Sequence, residues 1–136
     1  MSEEVNVMLS IAICDDEEYF RTTEKKLISK YMAGKNCECM IDMYESGKEL
    51  LALRSAISQY NIIFLDVNME EIDGIETAKE IRKISKDVFI VFVTAFITYA
   101  LEGYKVDAVR YLIKDHESLE KAMTECMDTI LSLIHI

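Results

Sequence analysis

The chain alternates between short apolar segments and longer amphipathic ones, and it does so five times. The apolar segments predict strands at Met8–Cys14, Cys39–Tyr44, Ile62–Leu65, Val88–Val93 and Ala108–Ile113. A helix is predicted after each strand: Glu17–Met32, one opened by Ser46, one opened by Asp73, Ile97–Gly103 and Glu117–Leu133. Repeated strand–helix units require parallel strands joined by right-handed crossovers. The pattern therefore predicts a three-layer α/β sandwich.

The length and composition indicate one domain. The chain has 136 residues, of which 51% are hydrophobic and 29% are charged, as in globular proteins. It contains no proline, only four glycines, and no linker-like or repeated segment. We therefore expect a single domain over residues 1–136, with a folded core at about 8–134.

The charge and hydropathy of the chain exclude several classes of partner. There are 25 acidic and 15 basic residues, for a net charge of −10. Nucleic-acid binding needs clustered Lys and Arg, so we expect no direct nucleic-acid contact by this chain. No apolar stretch reaches membrane-spanning length and the first residues are acidic, which predicts no membrane contact and a cytoplasmic location. Cys37 and Cys39 form a C-x-C pair with no second pair, so free thiols are favoured over a zinc site.

Polar side chains stand where the predicted strands end. The first strand is followed by Asp15 and Asp16, the third by Asp66, and the fourth and fifth by Thr94 and Lys114. In open parallel sheets, ligands bind beyond the carboxyl ends of the strands. We therefore expect these five side chains to converge at one edge of the sheet.

The chemistry of that edge favours phosphoryl transfer. Three converging carboxylates repel one another unless a cation neutralises them. Mg²⁺ accepts a few carboxylates and keeps waters that a phosphoryl oxygen can displace. Lys114 and Thr94 can bind the remaining phosphoryl oxygens, and an aspartate can carry a phosphoryl group as an acyl phosphate. We therefore predict that Asp66 is a phosphoacceptor that works with Mg²⁺.

Each of these residues has a simpler interpretation when it is taken alone. Asp15 and Asp16 also fit the acidic start of a helix, where the helix dipole favours them. Thr94 at a strand end is ordinary, and Lys114 could pair at the surface with the acids that follow it. Their joint appearance at successive strand ends favours a site.

These segments resemble the receiver domain of two-component response regulators. The similarity lies in Asp15-Asp16, L-D-V-N-M-E-E-I-D-G at 65–74, V-T-A at 93–95 and Y-L-I-K at 111–114. The stretch Y-A-L-E-G-Y-K-V-D-A-V-R-Y-L-I-K, at 99–114, further resembles receivers that precede a LytTR-type DNA-binding domain. The resemblance implies a flavodoxin-like (βα)5 fold with strand order 2-1-3-4-5. It also implies a signalling domain that takes a phosphoryl group from a sensor histidine kinase. Such a domain catalyses only its own phosphorylation and dephosphorylation, and its output is transcription through a DNA-binding domain absent from this chain.

The resemblance also implies roles for the acidic residues. Asp66 matches the phosphorylated aspartate. Asp16 matches the direct metal ligand, Asp15 the ligand that acts through water, and Asn68 the residue that lends its backbone carbonyl. Asp66, Asp15, Asp16 and Asn68 are therefore the expected metal-binding set.

The remaining roles concern switching. Thr94 matches the switch hydroxyl, Tyr111 the aromatic residue that follows its movement, and Lys114 the phosphate-binding lysine. We expect homodimerisation on phosphorylation through the face made by the fourth predicted helix, the fifth strand and the fifth helix. Asn68 and Phe96 stand two residues after the phosphoacceptor and the switch threonine, where the family controls the access of water. Asn68 can orient a water and so favours faster loss of the phosphoryl group, whereas the Phe96 ring can exclude it. We expect the phosphorylated form to be comparatively long-lived because of Phe96.

Departures from the family pattern leave alternatives open. The family usually has Met-Pro and Lys-Pro where this chain has Met69-Glu70 and Lys114-Asp115, so a degenerate receiver that only binds proteins is one alternative. A phosphohydrolase of the haloacid-dehalogenase type is another. It is disfavoured because Asn68 stands at the second position of its D-x-D motif.

Overall fold

The sheet has the predicted order. A computed structural model describes residues 8–95, 107–108 and 110–134. Its five strands are β1 (Met8–Cys14), β2 (Glu38–Tyr44), β3 (Ile62–Asp66), β4 (Phe89–Thr94) and β5 (Arg110–Ile113). They form one parallel sheet in the order β2-β1-β3-β4-β5. The flavodoxin-like topology is therefore confirmed.

Helices cover both faces of the sheet. They are α1 (Glu18–Gly34), α2 (Gly47–Leu51), α3 (Gly74–Ile84) and the C-terminal helix α4 (Leu119–Ile134), with a 3-10 helix (Arg54–Gln59) after α2. The predicted helix Ile97–Gly103, Phe96 and most of the expected dimer face lie outside the described residues. No described helix is long and apolar enough to cross a membrane.

Two helix starts are capped as their sequences predict. The Ser46 hydroxyl accepts a hydrogen bond from the backbone N–H of Glu49, at 3.1 Å. The Asp73 carboxylate accepts one from the backbone N–H of Glu76, at 2.8 Å. Each cap satisfies a backbone donor that the first turn leaves without an intrahelical partner. The caps fix where the chain turns away from the carboxyl edge of the sheet.

The core consists of two apolar layers, one on each face of the sheet. Ile11, Ile13 and Phe64 pack against α1 and α4, whereas Ala12 and Leu65 pack against α2 and α3. Every residue of β3 is buried, as expected for a central parallel strand. The layers hold β3 rigidly, and so they fix the position of its last residue, Asp66.

Candidate functional site

Backbone pairing brings the first two acids to the same edge of the sheet. The backbone N–H of Asp15 donates to the carbonyl of Tyr44 at 3.1 Å and so extends the β1–β2 pairing by one residue. Asp66 is the last residue of β3, which lies beside β1. Both side chains are almost fully buried, with 1% exposure for Asp15 and 3% for Asp66. The predicted convergence of these carboxylates is therefore found.

The two buried carboxylates are oriented in the same way. Asp15 Oδ1 accepts a hydrogen bond from the backbone N–H of Glu17 at 2.9 Å. Asp66 Oδ1 accepts one from the backbone N–H of Asn68 at 3.3 Å. Each carboxylate is thus held by the backbone two residues further on, as in an Asx turn. The second oxygen of each, Oδ2, is left facing the shared space between the strands.

Lys114 lies against both of these second oxygens. Its Nζ is 2.9 Å from Asp15 Oδ2 and 3.3 Å from Asp66 Oδ2, and its side chain is only 4% exposed. Both Oδ2 atoms are buried, and the ammonium offsets only part of their negative charge. The surface pairing considered for Lys114 is not found, because the lysine turns inward.

The electrostatics of the site reflect its excess of negative charge. Burial, together with the neighbouring Asp15 carboxylate, raises the pKa of Asp66 to about 7, although Lys114 acts in the opposite direction. Burial alone would lower the pKa of Lys114, but its contacts with Asp15 and Asp66 outweigh this and raise it. One lysine is therefore not enough to neutralise the carboxylates at this edge.

The acidic edge has the donor set of a site for a hard divalent cation. Carboxylate oxygens of Asp15, Asp16 and Asp66 all lie within 4.8 Å of one another, and Asp16 is exposed. Among the described residues, these three form the one such group of potential ligands. The Oδ2 atoms of Asp15 and Asp66, which lack a hydrogen-bond partner among the described residues, are suitable ligands for a cation that prefers oxygen. The backbone carbonyl of Asn68 stays a predicted ligand.

Thr94 and Tyr111 lie on the adjoining strands. The backbone N–H of Lys114 donates to the carbonyl of Thr94 at 2.9 Å, so these two residues are neighbours across β4 and β5. The Thr94 side chain is fully buried. The ring of Tyr111 packs on Phe92, with 4.9 Å between centroids and an interplanar angle of 33°. The positions suit the expected switch pair, and the switching itself stays a prediction.

The start of α3 approaches the end of β3 closely because residue 74 is glycine. Its backbone N–H donates to the carbonyl of Val67 at 2.8 Å. A Cβ at this position would lie 2.1 Å from the backbone oxygen of Asp66 and 2.8 Å from the Cα of Val67. Any side chain here would push the backbone of Asp66 away. Gly74 is therefore part of the mechanical support of the site.

Lys114 is followed by a turn that replaces the proline of the family pattern. All peptide bonds of the described residues are trans, including the bond between Lys114 and Asp115. The Asp115 carboxylate accepts hydrogen bonds from the backbone N–H of Glu117 and from the hydroxyl of Ser118, both at 3.2 Å. Its carbonyl accepts one from the backbone N–H of Leu119 at 2.9 Å, so Asp115 caps the approach to α4.

Three residues of α1 support the site and were not predicted from the sequence. The guanidinium of Arg21 donates to the carbonyl of Asp15 at 2.8 Å. The ring of Phe20 lies under the Lys114 ammonium, with 4.2 Å between Nζ and the ring centroid. Glu24 is 1% exposed, and burial followed by the Asp15 carboxylate raises its pKa well above the usual range. Glu24 lies four residues after Phe20 and four before Ile28, so all three are on the same face of α1. This spacing was the sequence signal that Glu24 is buried.

Comparison with known proteins agrees with this geometry. The model of the response regulator receiver domain matches residues 11–124. The sensory transduction protein LytT of Oceanobacillus iheyensis is 32% identical over 126 residues, which cover 90% of this chain and 49% of LytT. The transcriptional regulatory protein LytR of Staphylococcus aureus is 30% identical over 119 residues, which cover 86% of this chain and 46% of LytR. The chain thus spans about half the length of these curated relatives.

Solved structures are also similar. The response regulator TrrA of Thermotoga maritima, in complex with Mg²⁺ and BeF, has a TM-score of 0.75 and 29% identity. That alignment covers 91% of this chain and 100% of TrrA. The response regulatory domain of mrkE from Klebsiella pneumoniae has a TM-score of 0.78 at 23% identity, which covers 92% of this chain and 97% of that one and supports the fold. The chain belongs to the family of response regulator receiver domains, the signalling domains of two-component systems.

Proposed function

We propose that this chain accepts a phosphoryl group on Asp66 Oδ2 and that Mg²⁺ is bound by Asp15, Asp16 and Asp66. One observation carries the proposal. Two buried carboxylates are each held through Oδ1 by a backbone N–H, and they turn their Oδ2 atoms toward a single buried lysine. An arrangement that served stability alone would not concentrate acids in this way, because unneutralised buried charge is costly.

The transfer can be written with this chain's own atoms. Asp66 Oδ2 attacks phosphorus and forms a phosphorus–oxygen bond. The bond from phosphorus to the donor breaks, and its electron pair leaves with the donor nitrogen of a phosphohistidine, which then takes up a proton. Lys114, now 3.3 Å from Asp66 Oδ2, is placed to hold a phosphoryl oxygen. The Thr94 hydroxyl is proposed to bind a second phosphoryl oxygen.

Mg²⁺, when bound, supplies positive charge that keeps Asp66 ionised and offsets charge on the phosphoryl oxygens. Asp16 is exposed and suits a direct ligand, while the Asn68 carbonyl completes the proposed set. Hydrolysis of the phosphorylated aspartate requires a water to attack phosphorus. The Asp66 carboxylate then leaves, and inorganic phosphate and a proton are released. The domain is thus proposed to catalyse only its own phosphorylation and dephosphorylation.

The wider role is inferred from the relatives. The matched LytT and LytR proteins are about twice as long as this chain and are described as sensory transduction and transcriptional regulatory proteins. We infer that residues 1–136 form a single receiver domain whose donor is a sensor histidine kinase. Its output is proposed to be transcription through a C-terminal DNA-binding domain of the LytTR type. Phosphorylation-dependent homodimerisation is proposed for the face that includes β5 and α4.

The proposal is tested by intact-mass spectrometry after incubation with acetyl phosphate. Wild type is expected to gain one phosphoryl group in the presence of Mg²⁺ and none in the presence of a chelator. Asp66→Asn is expected to gain none, because an amide cannot form the acyl phosphate. Asp87→Asn is the matched control, since Asp87 is an exposed acid at the opposite end of the sheet.

Two results would contradict the proposal, and they have different meanings. Equal labelling of wild type and Asp66→Asn would place the acceptor elsewhere. No labelling of wild type by acetyl phosphate or by a phosphorylated kinase would favour a degenerate receiver that only binds proteins. Continuous release of phosphate from a small phosphate ester would instead favour a phosphohydrolase.

A further inference from the structure

Lys114 has a third neighbour besides the two aspartates. Its Nζ lies 4.2 Å from the centroid of the Phe20 ring, inside the range of a cation–π contact. The lysine side chain is 4% exposed, so little water competes for the ammonium. Cation–π attraction is strongest when the cation is desolvated in this way. The ring and the carboxylates of Asp15 and Asp66 therefore jointly surround the ammonium.

The Phe20 ring is itself held in place. It meets the ring of Tyr19 edge to face, with centroids 5.2 Å apart. Tyr19 in turn meets His116 edge to face at 5.7 Å, and its hydroxyl lies 3.2 Å from His116 Nδ1. Aromatic pairs in this geometry add stability beyond the area that they bury. The Tyr19–Phe20–His116 group thus ties the start of α1 to the turn that follows Lys114.

The link between α1 and this turn matters because the turn lacks the proline of the family pattern. The chain has Asp115 where the family pattern has a proline that stiffens the backbone after the lysine. Asp115 instead caps the approach to α4 through hydrogen bonds of its side chain and of its backbone carbonyl. Without a proline ring, the backbone dihedral φ of residue 115 is not fixed covalently, so a further contact that holds the Lys114 ammonium at the carboxylates adds a restraint that the sequence lacks. The Phe20 ring provides such a contact with the Lys114 ammonium.

We propose that Phe20 is a positioning residue for the reaction at Asp66, because its ring keeps the Lys114 ammonium at the edge where the phosphoryl group is received. The inference rests on the proposed function. Phe20 is not a catalytic residue, because its ring contacts the lysine rather than the reacting atoms. A positioning role predicts that the effect of Phe20 on the reaction depends on Lys114, whereas a merely structural role would not depend on it.

The first test is a spectroscopic one on the full chain. Because Lys114 Nζ lies over the Phe20 ring at 4.2 Å from its centroid, we expect the protons on the neighbouring Cε to resonate upfield of the other lysine Cε protons. Phe20→Leu keeps an apolar side chain and removes the ring, and it should abolish the displacement. Phe20→Tyr keeps the ring and should preserve it. Phe20 lines a cavity of about 110 Å³ between α1 and the start of α4.

The second test is a double-mutant cycle on the rate of phosphorylation by acetyl phosphate with Mg²⁺. Phe20→Leu should slow wild type by about tenfold, whereas Phe20→Tyr should restore most of the rate. In a Lys114→Met background, Phe20→Leu should change the rate by less than about twofold, because the residue on which the ring acts is gone.

Two outcomes would overturn the inference. One is an unchanged Lys114 resonance in Phe20→Leu. The other is an equal loss of rate from Phe20→Leu with and without Lys114, which would assign Phe20 a structural role. The wild-type resonance is informative even if a variant folds poorly. Failure of the proposed function can be told apart from failure of this inference. It would appear as no Asp66-dependent labelling of wild type, whereas the resonance test reports on the contact between Phe20 and Lys114.

Discussion

The carboxyl edge of the sheet and the layer beneath α1 and α4 follow opposite rules of burial. The layer is filled by apolar side chains such as Phe64 and Met127, both of which are inaccessible to solvent. The edge buries Asp15, Asp66 and Glu24 almost as completely, with one lysine among them. Burial stabilises the layer, but burial of unneutralised acids destabilises the edge. The difference indicates that the edge is arranged for binding at a cost in stability.

The largest effect is expected in the layer. Phe64→Ala should lower the free energy of unfolding by about 3–5 kcal/mol, because it removes a fully buried ring and leaves a cavity. Urea denaturation measures this change. Met40→Ala is the control, since Met40 is 55% exposed and should change stability by about 0.5 kcal/mol or less. A small effect of Phe64→Ala would mean that the layer is not tightly packed.

At the edge, a substitution should change the free energy of unfolding in the opposite direction. Asp66→Asn should raise the free energy of unfolding of the metal-free protein at pH 8 by about 1–3 kcal/mol, because it removes a buried charge that Lys114 only partly neutralises. Urea denaturation with a chelator is the measurement. Asp16→Asn, at an exposed acid of the same edge, should change stability much less. Destabilisation by Asp66→Asn would remove the contrast between the two regions.

The same contrast predicts a pH dependence. The pKa of Asp66 is raised to about 7 in the folded protein, from an ordinary value near 3.8. Its favourable contribution is therefore complete below about pH 4 and is lost as pH rises through about 7. Metal-free protein should lose about 2–3 kcal/mol of stability between pH 5 and 8 through this group. Mg²⁺ should restore this stability mainly at pH 8, because there the cation does not have to displace a proton from Asp66.

Thermal unfolding at both pH values, with and without Mg²⁺, checks that expectation. Asp66→Asn is the control and should show a weaker pH dependence between pH 5 and 8. Equal stabilisation of wild type by Mg²⁺ at the two pH values would contradict the link between the Asp66 proton and the cation.

The smallest effect is expected at Glu24. Burial and the Asp15 carboxylate raise the pKa of Glu24 well above its usual range, and its Oε2 is buried without a hydrogen bond to any described residue. Glu24→Leu should therefore stabilise the protein by about 1 kcal/mol in urea denaturation. Glu18→Leu, at an exposed position of the same helix, is the control. A loss of stability in Glu24→Leu would mean that the carboxyl group makes a favourable interaction.

Much of the fold was predictable because local patterns agree with the overall architecture. The apolar runs gave all five strands to within two residues, and Ser46 and Asp73 marked two helix starts. Helix α2 was less predictable, since it ends after five residues and continues as a 3-10 helix. The burial pattern at the end of the last helix was also less predictable, since Leu133 is 57% exposed whereas Leu131 is buried.

The site was predictable only in part. Asp15, Asp66, Thr94 and Lys114 follow from strand ends, since parallel strands share one carboxyl edge. The support from Phe20 depends on how α1 lies across the sheet, and strand ends do not report that orientation. Gly74 was used only as part of a motif, because its close approach to the Asp66 backbone exists only after folding.

The most direct test of the account is to locate the phosphoryl group chemically. Wild type is treated with acetyl phosphate and Mg²⁺, and the acyl phosphate is then reduced with borohydride, which converts the modified aspartate to homoserine and releases phosphate. Peptide mass spectrometry identifies the converted residue. The account predicts homoserine at position 66 and none at positions 15 and 16. Homoserine at either of those positions, or at none of the three after verified labelling, would contradict it.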